Sequence, residues 1–201
     1  MNPIEKKKLL QLYESRFDQY GYDVRSIGWG NIESQQLRFK ILADIADLSG
    51  CSVCDLGCGF GDLYPYLINR YKKVDYTGID LSGKLIEEAR IRYPGADFAV
   101  KDILKDPLGR KFDYVIASGT LSYKTSEHEV YIEKMLGKMM EMSTQGVAVN
   151  FLSSYVDYKL DKNFHYEPER AFSLAKQFTK YINLRSDYPL YEFTLYLYHV
   201  N

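Results

Sequence analysis

Residues Val53-Cys54-Asp55-Leu56-Gly57-Cys58-Gly59-Phe60-Gly61-Asp62 read as a buried strand that ends in an acid and runs into a glycine turn. A turn that lays backbone against a ligand needs room and often a positive φ, and glycine supplies both because it has no Cβ. Strand, glycine turn and helix in that order point to an open α/β sheet with a nucleotide-type pocket beyond the strand's carboxyl end. The spacing is G-x-G-x-G, and Asp62 stands where the last glycine of a dinucleotide G-x-G-x-x-G would fall. Asp55 and Asp62, flanking the turn, would repel a phosphate and suit a ligand with positive charge near the loop.

The rest of the chain supplies the expected context. Pro3 followed by Leu9, Leu12, Tyr13 and Phe17 predicts an amphipathic helix over residues 3–20, and Leu37, Ile41, Ile45 and Leu48 predict a second over 33–48. Strands then alternate with helices: strand 51–55, helix 62–71, strand 74–80, helix 83–92, strand 96–100, strand 112–118, helix 127–142, strand 146–151 and helix 168–179. Such repetition implies a parallel sheet covered on both faces. The last two β-rich runs, 181–186 and 191–199, are separated only by Asp187-Tyr188-Pro189-Leu190, too short for a crossover helix, so they should pair antiparallel.

Length and charge narrow the function classes. The 201 residues suit a single domain, with residues 1–48 as helices that cap it. Twenty-six basic against twenty-seven acidic residues leave a net charge of −1, which argues against the broad basic face of a DNA- or RNA-binding protein. No run reaches the about 18 apolar residues of a membrane span. The amino terminus has no apolar signal core, and a cytoplasmic protein is expected. Cys51, Cys54 and Cys58 are an odd, clustered set without a fourth ligand nearby, so buried thiols are expected rather than disulfides or zinc.

Asp55-x-Gly57-x-Gly59-x-Gly61 resembles the first motif of class I S-adenosylmethionine-dependent methyltransferases, whose cofactor carries an ammonium and a sulfonium and no phosphate. The resemblance covers roughly residues 30–201. It implies a doubly wound, mostly parallel seven-stranded sheet of order 3-2-1-4-5-7-6 that closes on an antiparallel hairpin. It also implies roles for single residues. Asp80, at the end of the second strand and followed by Leu81, matches the acid that takes the ribose hydroxyls, although Asp80 and Ser82 could instead cap the next helix. Asp102 matches the acid that accepts the adenine amino hydrogen, with Ile103 flanking the ring; a solvated loop acid is the alternative. Ser118-Gly119 resembles the fourth motif, whose backbone meets the methionine ammonium. Trp29 and Arg38 are similar in arrangement to an aromatic and an arginine of small-molecule members, the arginine forking onto the methionine carboxylate; core packing and a salt bridge are the alternatives.

No separate recognition domain fits beside such a core, so a small-molecule acceptor, methylated at oxygen or nitrogen, is expected. Residues 152–168 form a long loop with three tyrosines, a phenylalanine and His165, a candidate lid carrying a general base. His128 is the next histidine in line. Tyrosine is abundant, nineteen in all, so each one alone reads first as packing. No clustered acid pair stands at a strand end, and no metal is expected. An RNA or protein side-chain methyltransferase and a catalytically silent S-adenosylmethionine-binding protein remain as alternatives.

Overall fold

Strands whose odd and even residues are both apolar can be buried only in a sheet covered on both faces. In β1 (Ser52–Leu56), Val53 packs into one apolar layer, and Cys54 and Leu56 into the other. In β4 (Phe112–Ala117), Tyr114 and Ile116 face one side, and Val115 and Ala117 the other. The computed structural model, which describes residues 1–106 and 108–200, shows helices over both layers. Helices α2 (Ile32–Ala43), α3 (Leu63–Arg70) and α4 (Gly83–Arg92) give Leu42, Leu67 and Ile86 to the first layer. Helices α5 (His128–Met142) and α6 (Pro168–Ala175) give Ile132, Met139 and Ala171 to the second.

The remaining strands are β2 (Asp75–Asp80), β3 (Asp97–Val100), β5 (Ser143–Leu152), β6 (Ile182–Arg185) and β7 (Glu192–Tyr198). Together they form one seven-stranded sheet in the order β3-β2-β1-β4-β5-β7-β6. Pairs β1–β2, β1–β4, β2–β3 and β4–β5 are parallel, and β7 runs antiparallel to both β5 and β6. The expected doubly wound sheet with its terminal hairpin is therefore present. After β3 the chain crosses back past β1 to lay down β4, so the order reverses between β1 and β4 and leaves a crevice at their carboxyl ends.

Helix α1 (Pro3–Tyr20) starts on a capping box: Glu5 N donates to Asn2 Oδ1 and Asn2 N to Glu5 Oε2, both at 2.9 Å. None of its residues is fully buried, whereas α2 sinks Phe39, Ile41, Leu42 and Ala43. Most boundaries fall within one residue of the sequence reading, and three differ by three residues or more. Helix α2 stops at Ala43, yet Ile45 and Leu48 are buried beyond it, so their apolar spacing came from core packing rather than helicity. Helix α6 stops at Ala175, and Phe178 past its end packs beside Gly137 of α5. Strand β5 begins at Ser143, directly after α5, because polar Thr144 and Gln145 bond to Asp113 at the sheet's lower edge.

Candidate active site

The glycine turn after β1 is shaped by what a side chain would collide with. Gly57 and Gly59 have φ of 72° and 55°, a region that costs a residue with a Cβ about 1–2 kcal/mol. A Cβ on Gly57 would also overlap the Thr120 side chain, whose Oγ1 donates to the Leu56 carbonyl at 2.8 Å. Gly57 N and Cys58 N donate to the Ile79 carbonyl at 2.7 and 3.1 Å, and Gly59 N donates to Asp80 Oδ2 at 3.0 Å. The turn is thereby stitched to the end of β2 on one side and to the segment after β4 on the other.

A cleft opens above this turn. Trp29, Asp55, Gly57, Gly59, Asp80, Leu81, Asp102, Ile103 and Ser118 all line it. Arg38 and His165 do not. Leu9, Leu10 and Tyr13 of α1 close one side; they read in the sequence as an ordinary apolar stripe, and nothing short of the fold marks them as cleft residues.

Three carboxylates gather around the turn. Asp55 is 2% exposed and accepts the Tyr76 hydroxyl at 2.7 Å. Burial pushes its pKa up to about 7; the Tyr76 hydrogen bond opposes this, and the charges of Asp80 and Asp62 add to it. Asp80 accepts Gly59 N through Oδ2 and Ser82 N at 2.9 Å through Oδ1. Burial raises its pKa, against the pull of these backbone donors. The helix cap is Ser82, whose Oγ accepts from Leu85 N at 3.3 Å, so Asp80 clasps the turn instead and each of its oxygens keeps a further lone pair. Asp62 accepts the hydroxyls of Tyr22 at 2.7 Å and Tyr93 at 3.0 Å, tying the segment after α1 to the cleft. Asp55, Asp62 and Asp80 have no salt-bridge partner among the described residues. A cation held above the turn would keep these acids ionised, so the cleft floor suits a positively charged ligand. Asp102 differs: it accepts Lys6 Nζ of α1 at 2.9 Å, and Ile103 beside it is buried.

Arg38 has a partner the sequence did not suggest. Its guanidinium grips Glu192 of β7, with Nε at 2.8 and 2.9 Å from the two oxygens and one terminal nitrogen at 2.5 Å. The carboxylate it forks is thus the protein's own. Its other terminal nitrogen, Nη1, is buried without a hydrogen-bond partner among the described residues, and its charge lies over the Trp29 ring at 4.1 Å. Glu192 also accepts Asn150 Nδ2 at 2.6 Å, and Asn150 Oδ1 accepts Gly119 N at 2.7 Å. A continuous network therefore runs from Trp29 to the backbone after β4. Gly119 has φ of 68°, and a Cβ there would overlap the Trp29 indole. Next to it, Ser118 Oγ is buried in the cleft lining without a partner among the described residues.

The long loop after β5 lies elsewhere. His165 Nδ1 donates to the Ser153 carbonyl at 2.9 Å, while Nε2 is buried without a partner among the described residues, in a second depression with Phe164, Tyr166 and Arg170. The loop's far end is pinned, because Phe164 N donates to the Ser122 carbonyl at 2.8 Å and Tyr166 N to the Leu152 carbonyl at 2.8 Å. No residue of 152–168 lines the main cleft. His128 is spent structurally: Nδ1 accepts Thr125 N at 3.3 Å, Nε2 meets the Tyr166 hydroxyl, and Phe164 stacks on the ring at 4.1 Å. Burial, helped by the Lys124 charge, holds its pKa down to about 4. Cys54 and Cys58 are buried and Cys51 half-buried, all as free thiols. No described helix is long and apolar enough to cross a membrane.

Residues 53–146 match a family model described as a methyltransferase domain. A Mycobacterium tuberculosis protein whose name places it among the methyltransferases is 38% identical over 154 residues, covering 72% of this chain and 90% of the relative. A malonyl-[acyl-carrier protein] O-methyltransferase of Acetivibrio thermocellus is 33% identical over 122 residues, covering 58% of this chain and 41% of that protein. Magnesium protoporphyrin IX methyltransferase from Synechocystis, solved with bound S-adenosylhomocysteine, superposes with a TM-score of 0.72 at 18% identity, covering 98% of this chain and 99% of that one. Fold and relatives together define a methyltransferase. The chain belongs to the class I S-adenosylmethionine-dependent methyltransferase family.

Proposed function

We propose that this cleft binds S-adenosylmethionine and directs its methyl group to an oxygen or nitrogen of a small-molecule acceptor. The observation that carries the reading is the set of three carboxylates, without a salt-bridge partner among the described residues, around a glycine turn too tight for side chains. A cationic ligand without phosphate suits that field, and a dinucleotide does not. When bound, the cofactor supplies a methyl group on a sulfonium, open to in-line displacement.

The roles follow from placement. Asp80 offers the ribose hydroxyls its free lone pairs while its others hold the turn. Leu81 and Ile103 flank the adenine, with Asp102 at its edge, poised by Lys6. Gly57, Gly59 and Ser118 Oγ face the amino-acid end, where a bound cation would draw Asp55 into its charged form. Trp29, pressed on Gly119 and held by Arg38, walls that end and excludes water from the reacting line. Arg38 acts through Trp29 and Glu192 in this reading. The whole chain is one domain in which α1 caps the cleft, fastened by Lys6 to Asp102 and by Glu14, which accepts the Ser82 hydroxyl at 2.8 Å. Helix α2 forms the fixed wall beneath.

A small acceptor is supported by relatives named for magnesium-protoporphyrin and trans-aconitate methylation. His165 is not assigned as the base, since it lies outside the cleft. The test is release of S-adenosylhomocysteine from methyl-labelled S-adenosylmethionine across a panel of small carboxylic acids, phenols and amines. Label transfer to at least one panel member is expected. Transfer only to RNA or protein substrates would overturn the small-molecule reading.

A further inference from the structure

Asn150 and Glu192 lie behind the cleft wall and line none of it, yet each is only 4% exposed. Burying an amide and a carboxylate is costly unless both are well bonded. Glu192, forked by Arg38, can only accept, so the Asn150 amide must turn its Nδ2 toward it, at 2.6 Å. That leaves Oδ1 for Gly119 N, at 2.7 Å. The ion pair thereby fixes which end of the amide faces the backbone after β4.

Gly119 needs such a hold. Without a Cβ, and at a φ of 68°, it lets the preceding peptide swing between orientations that a larger residue would forbid. Trp29 blocks one side of it, and Asn150 pins its N–H. The peptide between Ser118 and Gly119 is trans, so its C=O points opposite to its N–H. Strand β4 lies between β1 and β5, and Asn150 belongs to β5. An N–H drawn toward β5 therefore sends the Ser118 carbonyl toward β1, into the crevice where the strand order reverses. The neighbouring hydroxyl agrees with this direction: Thr120 Oγ1 stands 3.4 Å from the Ser118 oxygen while donating to the Leu56 carbonyl of β1 at 2.8 Å. With that proton committed to Leu56, the Ser118 oxygen has no N–H donor among the described residues.

A carbonyl held at the cleft wall with its lone pairs free suits a cationic N–H donor, and the acids of the turn suit the same charge. We propose that Asn150, set by Glu192 and Arg38, is a positioning residue that aims the Ser118 carbonyl at the ammonium group of the bound cofactor. Asn150 itself touches neither cofactor nor acceptor in this arrangement. The assignment deepens the reading of the cleft as the methyltransferase site and rests on it.

The test compares S-adenosylhomocysteine with its analogue carrying hydrogen in place of the α-amino group. Both are titrated into the full chain, wild type and Asn150→Leu, by calorimetry and by the NMR shift of the Ser118 carbonyl carbon. In wild type, S-adenosylhomocysteine should move that resonance and bind roughly tenfold tighter than the deamino analogue, which should leave the resonance in place. Asn150→Leu should weaken S-adenosylhomocysteine by roughly tenfold and the analogue by less than about twofold, because a lost aim matters only to a ligand with an ammonium. A merely structural role would weaken both ligands alike, and that result would overturn the assignment. So would a wild-type Ser118 resonance that responds equally to the two ligands, a measurement that stands even if Asn150→Leu fails to fold. Failure of wild type to bind either compound would sink the methyltransferase reading itself, and this assignment with it.

Discussion

Substituting Glu192→Gln strips the charge from the centre of the Trp29–Gly119 network while nearly keeping its shape. Glu192 is 4% exposed and Arg38 keeps only 11% of its side chain in solvent, so the guanidinium would be left buried against a neutral amide. Removing one partner of a buried pair costs about 3–5 kcal/mol, mostly through the uncompensated charge. Arg38→Met should cost a similar amount, because it strands the carboxylate with Asn150 alone. The double variant should cost clearly less than the sum, with a coupling of roughly 1–3 kcal/mol. Urea unfolding of wild type, both singles and the double measures this directly, provided the denaturant slope stays constant. The reasoning is refuted if Glu192→Gln costs under about 1 kcal/mol, the behaviour of a solvent-screened pair, or if the two losses simply add.

Two further outcomes are expected. Gly57→Ala should lose about 1–2 kcal/mol to its positive φ and more to the collision with Thr120, so adding Thr120→Ala should recover the second part only; full recovery, measured by thermal unfolding, would show that φ is not limiting. His128, with a folded pKa of about 4 against an ordinary 6.5, contributes stability that is fully present above pH 6.5 and lost as pH falls from there toward about 4. An imidazole NMR titration should show it neutral, protonated on Nε2, down to about pH 5, and a midpoint near 6.5 would contradict its burial.

Local rules made the fold legible. Strands that alternate with helices specify a parallel sheet buried on both faces, and the four-residue link at Asp187–Leu190 admits only a hairpin. The glycine turn and Asp80 were legible for the same reason: steric demand and strand-end position are properties of short segments. Misread boundaries arose where burial imitated helical periodicity, as at Ile45, Leu48 and Phe178. Pairings between distant segments were not legible. Glu192 lies 154 residues from Arg38, and no periodicity links them. His165 was singled out by residue type in a long loop, but the bonds from Ser122 and Leu152 that pin the loop are backbone contacts invisible to side-chain pattern.

Titration calorimetry with S-adenosylmethionine, S-adenosylhomocysteine and NAD, on wild type and Asp80→Ala, tests the central claim most directly. Both sulfur compounds should bind wild type and NAD should not. Asp80→Ala should weaken them by about 1.5–3 kcal/mol, the worth of hydrogen bonds to a charged acceptor. NAD binding with no response to either sulfur compound, or a folded Asp80→Ala that binds as tightly as wild type, would contradict the account.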